Sequence, residues 1–204
     1  MPALIDIVDD EEPIRDALAF LLASRDIETR LWASGEEFLA AQPLDDMTCI
    51  IMDVRMTGMS GPDVYERLHA MGSVVPVIFL TGHADVPVAV RTLKAGAFDF
   101  IEKPFNDNQI VDLALSAIAA GEIAQANAAS RRELDSRRAS LSAREAEVMD
   151  LILTGAMNKQ IADQLGIAIR TVEAHREKVL GKMGVRNALE LAALTRDHGP
   201  DRKD

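Results

Sequence analysis

The chain has 204 residues, 27% of them charged and 48% apolar, the profile of an ordinary globular protein with room for one large domain or two small ones. The early acidic turn of its N-terminus, "MPALIDIVDDEEP", argues against a secretory signal, no apolar run reaches membrane-spanning length, and the lone Cys49 excludes an internal disulfide and fits a reducing cytoplasm. The net charge of −11 is unevenly spread: residues 139–204 hold ten Lys/Arg and ten Asp/Glu, so the whole excess lies in residues 1–138, which predicts two domains with different partners.

In chain order, the first half alternates apolar runs with amphipathic segments. The runs are Leu4–Val8, Glu28–Trp32, Cys49–Asp53, Val75–Thr81 and Phe98–Glu102. The first, third and fourth are apolar on both faces, as strands buried in a parallel sheet are. Helix starts lie between them. Pro13 follows an acidic cluster, "SGEE" at Ser34–Glu37 and "NDNQ" at Asn106–Gln109 have capping-box form, and "SGPD" at Ser60–Asp63 adds Pro at the first turn. Five strands alternating with five helices predict a doubly wound α/β domain around a five-stranded parallel sheet.

After the helix that starts beyond Pro104, an alanine-rich, charged stretch reads as a linker helix. Its arginines 131, 132, 137 and 138 are expected on a solvated face. From Leu141 the pattern is helical throughout. "SARE" at Ser142–Glu145 is a capping box opening a helix that stops at Gly155; "NKQIADQL", a turn at Gly166, "IRTVEAHREKVLGKM" and "ALELAAL" follow. Two short helices joined by a glycine turn behind a supporting helix predict a small all-α helix-turn-helix domain. The expected division is a first domain at 1–122, a linker helix at 123–138 and a second domain at 139–204.

In an open parallel sheet, function collects at the carboxyl ends of the strands. Those ends carry Asp9 and Asp10, Asp53, Thr81 and Lys103. Converging carboxylates repel one another unless a cation intervenes, and a hard oxygen site with few carboxylates suits Mg²⁺ better than Ca²⁺. Acid cluster, cation and lysine together are what an incoming phosphoryl group requires, with one carboxylate as nucleophile. The bland alternative is that each aspartate only caps the next helix.

The segments "IVDDEEPIRDAL", "IIMDVRMTGMSG", "LTGHADVPVAVRTLKAGAFDFIEKPF" and "LSAREAEVMDLI…NKQIADQLGI…RTVEAHREKVLGKM" resemble two-component response regulators of the FixJ/NarL family over essentially the whole chain. The resemblance implies a flavodoxin-like receiver followed by a LuxR-type helix-turn-helix domain. It makes Asp53 the phospho-acceptor, Asp10 the direct Mg²⁺ ligand, Asp9 a ligand through water, and the backbone carbonyl of Arg55 part of the metal shell. It gives Thr81 and Lys103 the phosphoryl oxygens, makes Phe100 the switch aromatic, and implies a cis Lys103–Pro104 bond. Thr57 departs from the family's usual Pro, which takes a source of rigidity from the loop after Asp53. His83 is a loop residue without a catalytic role. Phosphatases of the haloacid dehalogenase type share the Asp nucleophile but carry a second Asp two residues on, where this chain has Arg55. An acyl phosphate here should therefore persist as a signal, and the chain is not expected to be a turnover enzyme. A stand-alone relay receiver is disfavoured by the helix-turn-helix that follows.

In a helix-turn-helix the second helix enters the major groove, here about Ile169–Met183. Ile161, Ala162, Leu165, Val172, Val179, Leu180 and Met183 are expected on packed sides, with 173, 174, 177 and 178 facing outward. The resemblance places base contacts at Glu173, Ala174 and Glu177. Arg170, Arg176, Lys178 and Lys182 are the phosphate candidates. The two glutamates either accept from cytosine N4 or pair with neighbours, Glu173 with Arg176 and Glu177 with Arg170. His175 is expected to pack. Ala168 stands where the family has a Ser or Thr cap. Neutral overall charge predicts weak non-specific DNA affinity for a monomer and better binding by a dimer on two half-sites.

The expected partners are a sensor histidine kinase, promoter DNA and a second copy after phosphorylation. The copies would meet on the helix 4/strand 5 face (Val86, Val90, Lys94) and through the last helix (Leu189, Leu191, Ala192, Leu194). The alternative is a phosphorylation-gated protein-interaction module with little DNA affinity.

Overall fold

The computed structural model describes residues 3–42, 46–82 and 86–197, without the side chains of Val86, Pro87, Ala89 and Asp197. His83 and the side chain of Val86 thus lie outside the described residues. The chain divides into two compact units, Met1–Ala126 and Asn127–Asp204.

In the first unit, β1 (Leu4–Val8), β2 (Glu28–Trp32), β3 (Cys49–Asp53), β4 (Val77–Thr81) and β5 (Asp99–Glu102) form one parallel sheet in the order β2-β1-β3-β4-β5. β4 starts at Val77, two residues later than the apolar run, because Pro76 has no N–H to give a ladder. All five residues of β3 and of β4 are buried, as central strands require. The period of two sorts their side chains onto two faces. Ile5, Ile7, Ile51, Ile78 and Leu80 pack with Leu18, Leu22, Ile110 and Ala114 from α1 (Glu12–Ala23) and α5 (Asp107–Ala139). Val8, Ile50, Met52, Val77 and Phe79 pack with Phe38, Val64 and Leu68 from α2 (Gly35–Ala40) and α3 (Gly61–Ala70). Each large aliphatic side chain removed from water in this way contributes about 2 kcal/mol before entropy is counted.

The helix starts follow their local signals to different degrees. Ser60–Asp63 and Ser142–Glu145 form complete capping boxes. At "SGEE" the Ser34 hydroxyl accepts from the Glu37 amide, but Glu37 reaches back to Ala33, not Ser34. At "NDNQ", Asn106 caps the amide of Asn108.

α4 (Val86–Lys94) precedes β5. α5 is one continuous helix that contains all of residues 123–138. Its residues through Ala126 belong to the first unit and those from Asn127 to the second. The second unit adds α6 (Ala143–Leu153), α7 (Asn158–Leu165), α8 (Ile169–Met183) and α9 (Ala188–Asp197). Its core joins Leu134 of α5 to Val148, Ile152, Ile161, Val172, Val179, Met183 and Leu191. Gly166, at φ 64°, is the left-handed turn between α7 and α8.

Candidate functional site

Strand order decides where the site lies. β1 connects outward to β2 and β3 to β4, so the crevice of a doubly wound sheet opens between the carboxyl ends of β1 and β3. Val8 is paired in register with Met52, which sets Asp9 level with Asp53. One oxygen from each of Asp9, Asp10 and Asp53 lies within 4.8 Å of the other two. Lys103, one residue past β5, brings its ammonium 2.8 Å from Asp9 Oδ2 and 3.3 Å from Asp53 Oδ1. The Lys103–Pro104 bond is cis. Asp9 is fully buried; its Oδ1 accepts from the Glu11 amide (2.8 Å) and its carbonyl from Arg15 (2.6 Å).

The charges are unbalanced. Burial, foremost, pushes the Asp53 carboxyl up to about 6; Lys103 pulls it down and Asp9 adds to the rise. Burial would lower the Lys103 ammonium, but the hydrogen bond to Asp9 and the charges of Asp53 and Asp9 prevail and raise it. Asp10 sits below the usual carboxylate range because the Thr57 hydroxyl, and then the Thr57 amide, donate to it. Three carboxylates against one nearby ammonium form an all-oxygen donor set that fits a hard divalent cation with water at its remaining positions.

The other expected receiver residues are placed as follows. Thr81 is fully buried at the end of β4 and its hydroxyl donates to the Gly82 carbonyl (3.2 Å). Phe100, on β5, is half-buried against the core cluster that holds Phe79. Arg55 is exposed in the loop after β3. Gly61 approaches so closely that a Cβ there would collide with the Asp53 carbonyl, so the start of α3 is packed directly beneath the acceptor. On α4, Val90 is 40% exposed and Lys94 is exposed. Cys49 is a buried strand residue whose thiol burial pushes up.

In the second unit, Arg170, Glu173, Ala174, Glu177 and Lys178 all face solvent along α8, while Arg176 and His175 are half-buried. Among the described residues no ion pair joins Glu173 to Arg176 or Glu177 to Arg170, the pairings considered from sequence. Ala168 makes no side-chain cap, as its residue type dictates. Lys182 is differently engaged from a free phosphate contact: its ammonium donates to Glu145 Oε2 (2.6 Å) and the Ser140 carbonyl (2.8 Å). That bond, followed by the Ser142 amide, holds the Glu145 carboxyl at about 2. Arg137 also departs from a solvated face, donating to the Met183 carbonyl (2.7 Å) at the C-terminus of α8. In α9, Leu191 and Leu194 serve this unit's own core, leaving Leu189, 79% exposed, as the large apolar side chain turned outward.

Residues 5–115 match the response regulator receiver domain, and residues 139–195 match the bacterial regulatory proteins of the luxR family. The chain belongs to the response regulators. It is 64% identical over 197 residues to the C4-dicarboxylate transport transcriptional regulatory protein DctR of Rhodobacter capsulatus, covering 96% of this chain and all of that one. It is 40% identical to the transcriptional regulatory protein FixJ of Bradyrhizobium diazoefficiens, covering 93% of each. Among solved structures, the response regulator StyR matches with a TM-score of 0.81 at 34% identity, covering 96% of this chain and 99% of that one. Full-length FixJ from B. japonicum matches at 0.60 and 38%, covering 97% of each. The regulator is a NarL/FixJ-type, phosphorylation-regulated DNA-binding transcription factor. Nothing found supports the protein-interaction alternative. No helix among the described residues of the regulator is long and apolar enough to cross a membrane.

Two groups around the regulator's receiver were not legible as such in the sequence. The fully buried Asp6 takes both a two-pronged bond from Arg30 (2.8 Å each) and one from the Trp32 indole (2.7 Å), with Arg30 bridging on to Asp46. Its signal was an aspartate inside an otherwise apolar strand. Thr57, noted only as a departure, contacts Asp10 directly.

Proposed function

We propose that the regulator accepts a phosphoryl group on Asp53 from the phosphohistidine of a sensor kinase, and in that state dimerises and binds promoter DNA in the cytoplasm. The observation that carries this reading is the Lys103 ammonium bridging Asp9 (2.8 Å) and Asp53 (3.3 Å) beside Asp10. An Asp53 oxygen attacks phosphorus as the P–N bond breaks, and the histidine nitrogen leaves with the bonding pair and takes up a proton. Mg²⁺, held by Asp9, Asp10, Asp53 and the backbone carbonyl of Arg55, would neutralise charge on the transferred oxygens. Lys103 holds one phosphoryl oxygen and the Thr81 hydroxyl, released from Gly82, another. Phe100 then changes its packing on β5. These moves favour one of two arrangements of the α4/β5 face, which is how a local bond acts at a distance.

Arg170, Arg176 and Lys178 meet DNA phosphates, and Glu173, Ala174 and Glu177 lie toward base edges. Lys182 serves the fold of the second unit, given its bonds to Glu145 and Ser140. The 64% identity to a regulator named for C4-dicarboxylate transport makes promoters of such transport genes the first DNA to try. Intact protein incubated with acetyl phosphate and Mg²⁺ should gain one phosphate by mass, and Asp53→Asn none. Labelling of Asp53→Asn at the wild-type level would overturn the assignment.

A further inference from the structure

Asp10 is the one member of the acidic cluster that Lys103 does not pair with by an ion pair; Thr57 holds it instead. The Thr57 amide (2.8 Å) and hydroxyl (2.7 Å) both donate to the same oxygen, Asp10 Oδ2. Two good donors on one carboxylate oxygen use its in-plane lone pairs and fix the carboxylate plane. The loop that presents Thr57 is itself tied down. Gly58 turns at φ 85°, the Met59 amide donates to Glu36 Oε1 on α2 (2.9 Å), and the Gly61 amide closes back onto the Val54 carbonyl (3.1 Å). The rigidity expected to be missing without a proline is therefore supplied by hydrogen bonds. A proline at this position would offer neither the N–H nor the hydroxyl.

We infer that Thr57 is a positioning residue of the cation site: it holds Asp10 in one rotamer, leaves Oδ1 as the oxygen free for a divalent ion, and so sets the affinity for that ion. The inference rests on the proposed role of Asp10 as a metal ligand. Groups that orient a metal-binding carboxylate from behind commonly change metal affinity by tenfold or more when removed. Thr57 is exposed, so its replacement leaves the core intact.

The test is direct Mg²⁺ titration of the unphosphorylated full chain, by calorimetry and by the fluorescence of its single tryptophan. Trp32 reports on the site because its carbonyl accepts from the Asp9 amide (3.2 Å). Thr57→Val keeps the shape and the amide but loses the hydroxyl, and is expected to weaken Mg²⁺ binding about tenfold. Thr57→Ala should match it, and Thr57→Ser should bind as the parent does. Equal affinity of parent and Thr57→Val overturns the inference, as does a Thr57→Ser as weak as Thr57→Val, which would show that the methyl group matters and not the hydroxyl. Failure of the underlying reading looks different: the parent itself would show no Mg²⁺ binding, or Asp10→Asn would bind as tightly as the parent.

Discussion

Asp53 is held 7% exposed at the end of β3, with burial and Asp9 working against its charge and Lys103 working for it. Because its carboxyl is raised to about 6 from an ordinary value near 3.8, the folded state binds the proton more tightly than the unfolded one. Stability from this group is greatest below the ordinary value and falls as pH rises through about 6. Asp53→Asn is therefore expected to stabilise the metal-free chain at pH 7 by about 1 kcal/mol after allowance for solvent screening, which is a few degrees in melting temperature. Mg²⁺ should raise the melting temperature of the parent and leave that of Asp53→Asn nearly unchanged; calorimetry with and without chelator measures both. At Gly61 the residue type is dictated by a close approach. Gly61→Ala would press a methyl group onto the Asp53 carbonyl, so slower acetyl-phosphate labelling is expected even though no reacting group is altered.

At the scale of elements, buried polar pairs fix how neighbours meet. Asp6 and Arg30 are register partners on β1 and β2, and their two-pronged bond raises the Arg30 guanidinium further, the hydrogen bond to Asp6 being the main cause. Arg30→Met would leave a fully buried carboxylate without its cation, at a cost of about 3 kcal/mol, visible as a lowered thermal transition of the first unit. In the second unit, Glu145 and Lys182 join the start of α6 to the end of α8. Glu145 is held at about 2, below its ordinary 4.5, so its contribution is complete above pH 4.5 and is lost as pH falls toward 2. Lys182→Met should lower the calorimetric transition of this unit at pH 7 and make its decline between pH 5 and 3 shallower. An unchanged transition would return Lys182 to the DNA surface. Arg137, at the far end of α5, satisfies a terminal carbonyl of α8, and Arg137→Ala should speed hydrogen exchange in the last turn of that helix.

For the whole molecule, charge and switch belong together. The excess of −11 resides in residues 1–138, and the remainder is neutral, so DNA affinity is expected to depend on placed contacts and, in the proposed dimer, on two half-sites bound together. Removing Arg176 or Lys178 should weaken binding to all sequences and reduce the salt slope by about one for each lost phosphate contact. Glu173→Ala should instead change which sequences are preferred, because Glu173 faces solvent on α8 without an ion-pair partner among the described residues. Beryllofluoride, as an acyl-phosphate mimic, should convert monomer to dimer in sedimentation, and Val90→Asp, on the exposed side of α4, should block that conversion while leaving Asp53 labelling intact.

What the sequence by itself determined was everything written in short-range pattern. Short apolar runs placed the strands, the Ser60 and Ser142 boxes opened their helices, and carboxylates and a lysine at the ends of the first, third and fifth strands marked the site, because strand ends of a parallel sheet must converge on one rim. The tertiary structure alone decided the pairings between distant side chains. Thr57 and Asp10 are 47 residues apart, Arg137 and Met183 46, and Lys182 and Glu145 37. Such partners depend on strand register and on how helices cross, and nothing in the local alternation of apolar and polar residues encodes either. The same limit explains α9, where Leu191 and Leu194 looked available for a partner until the core of their own unit was seen to use them.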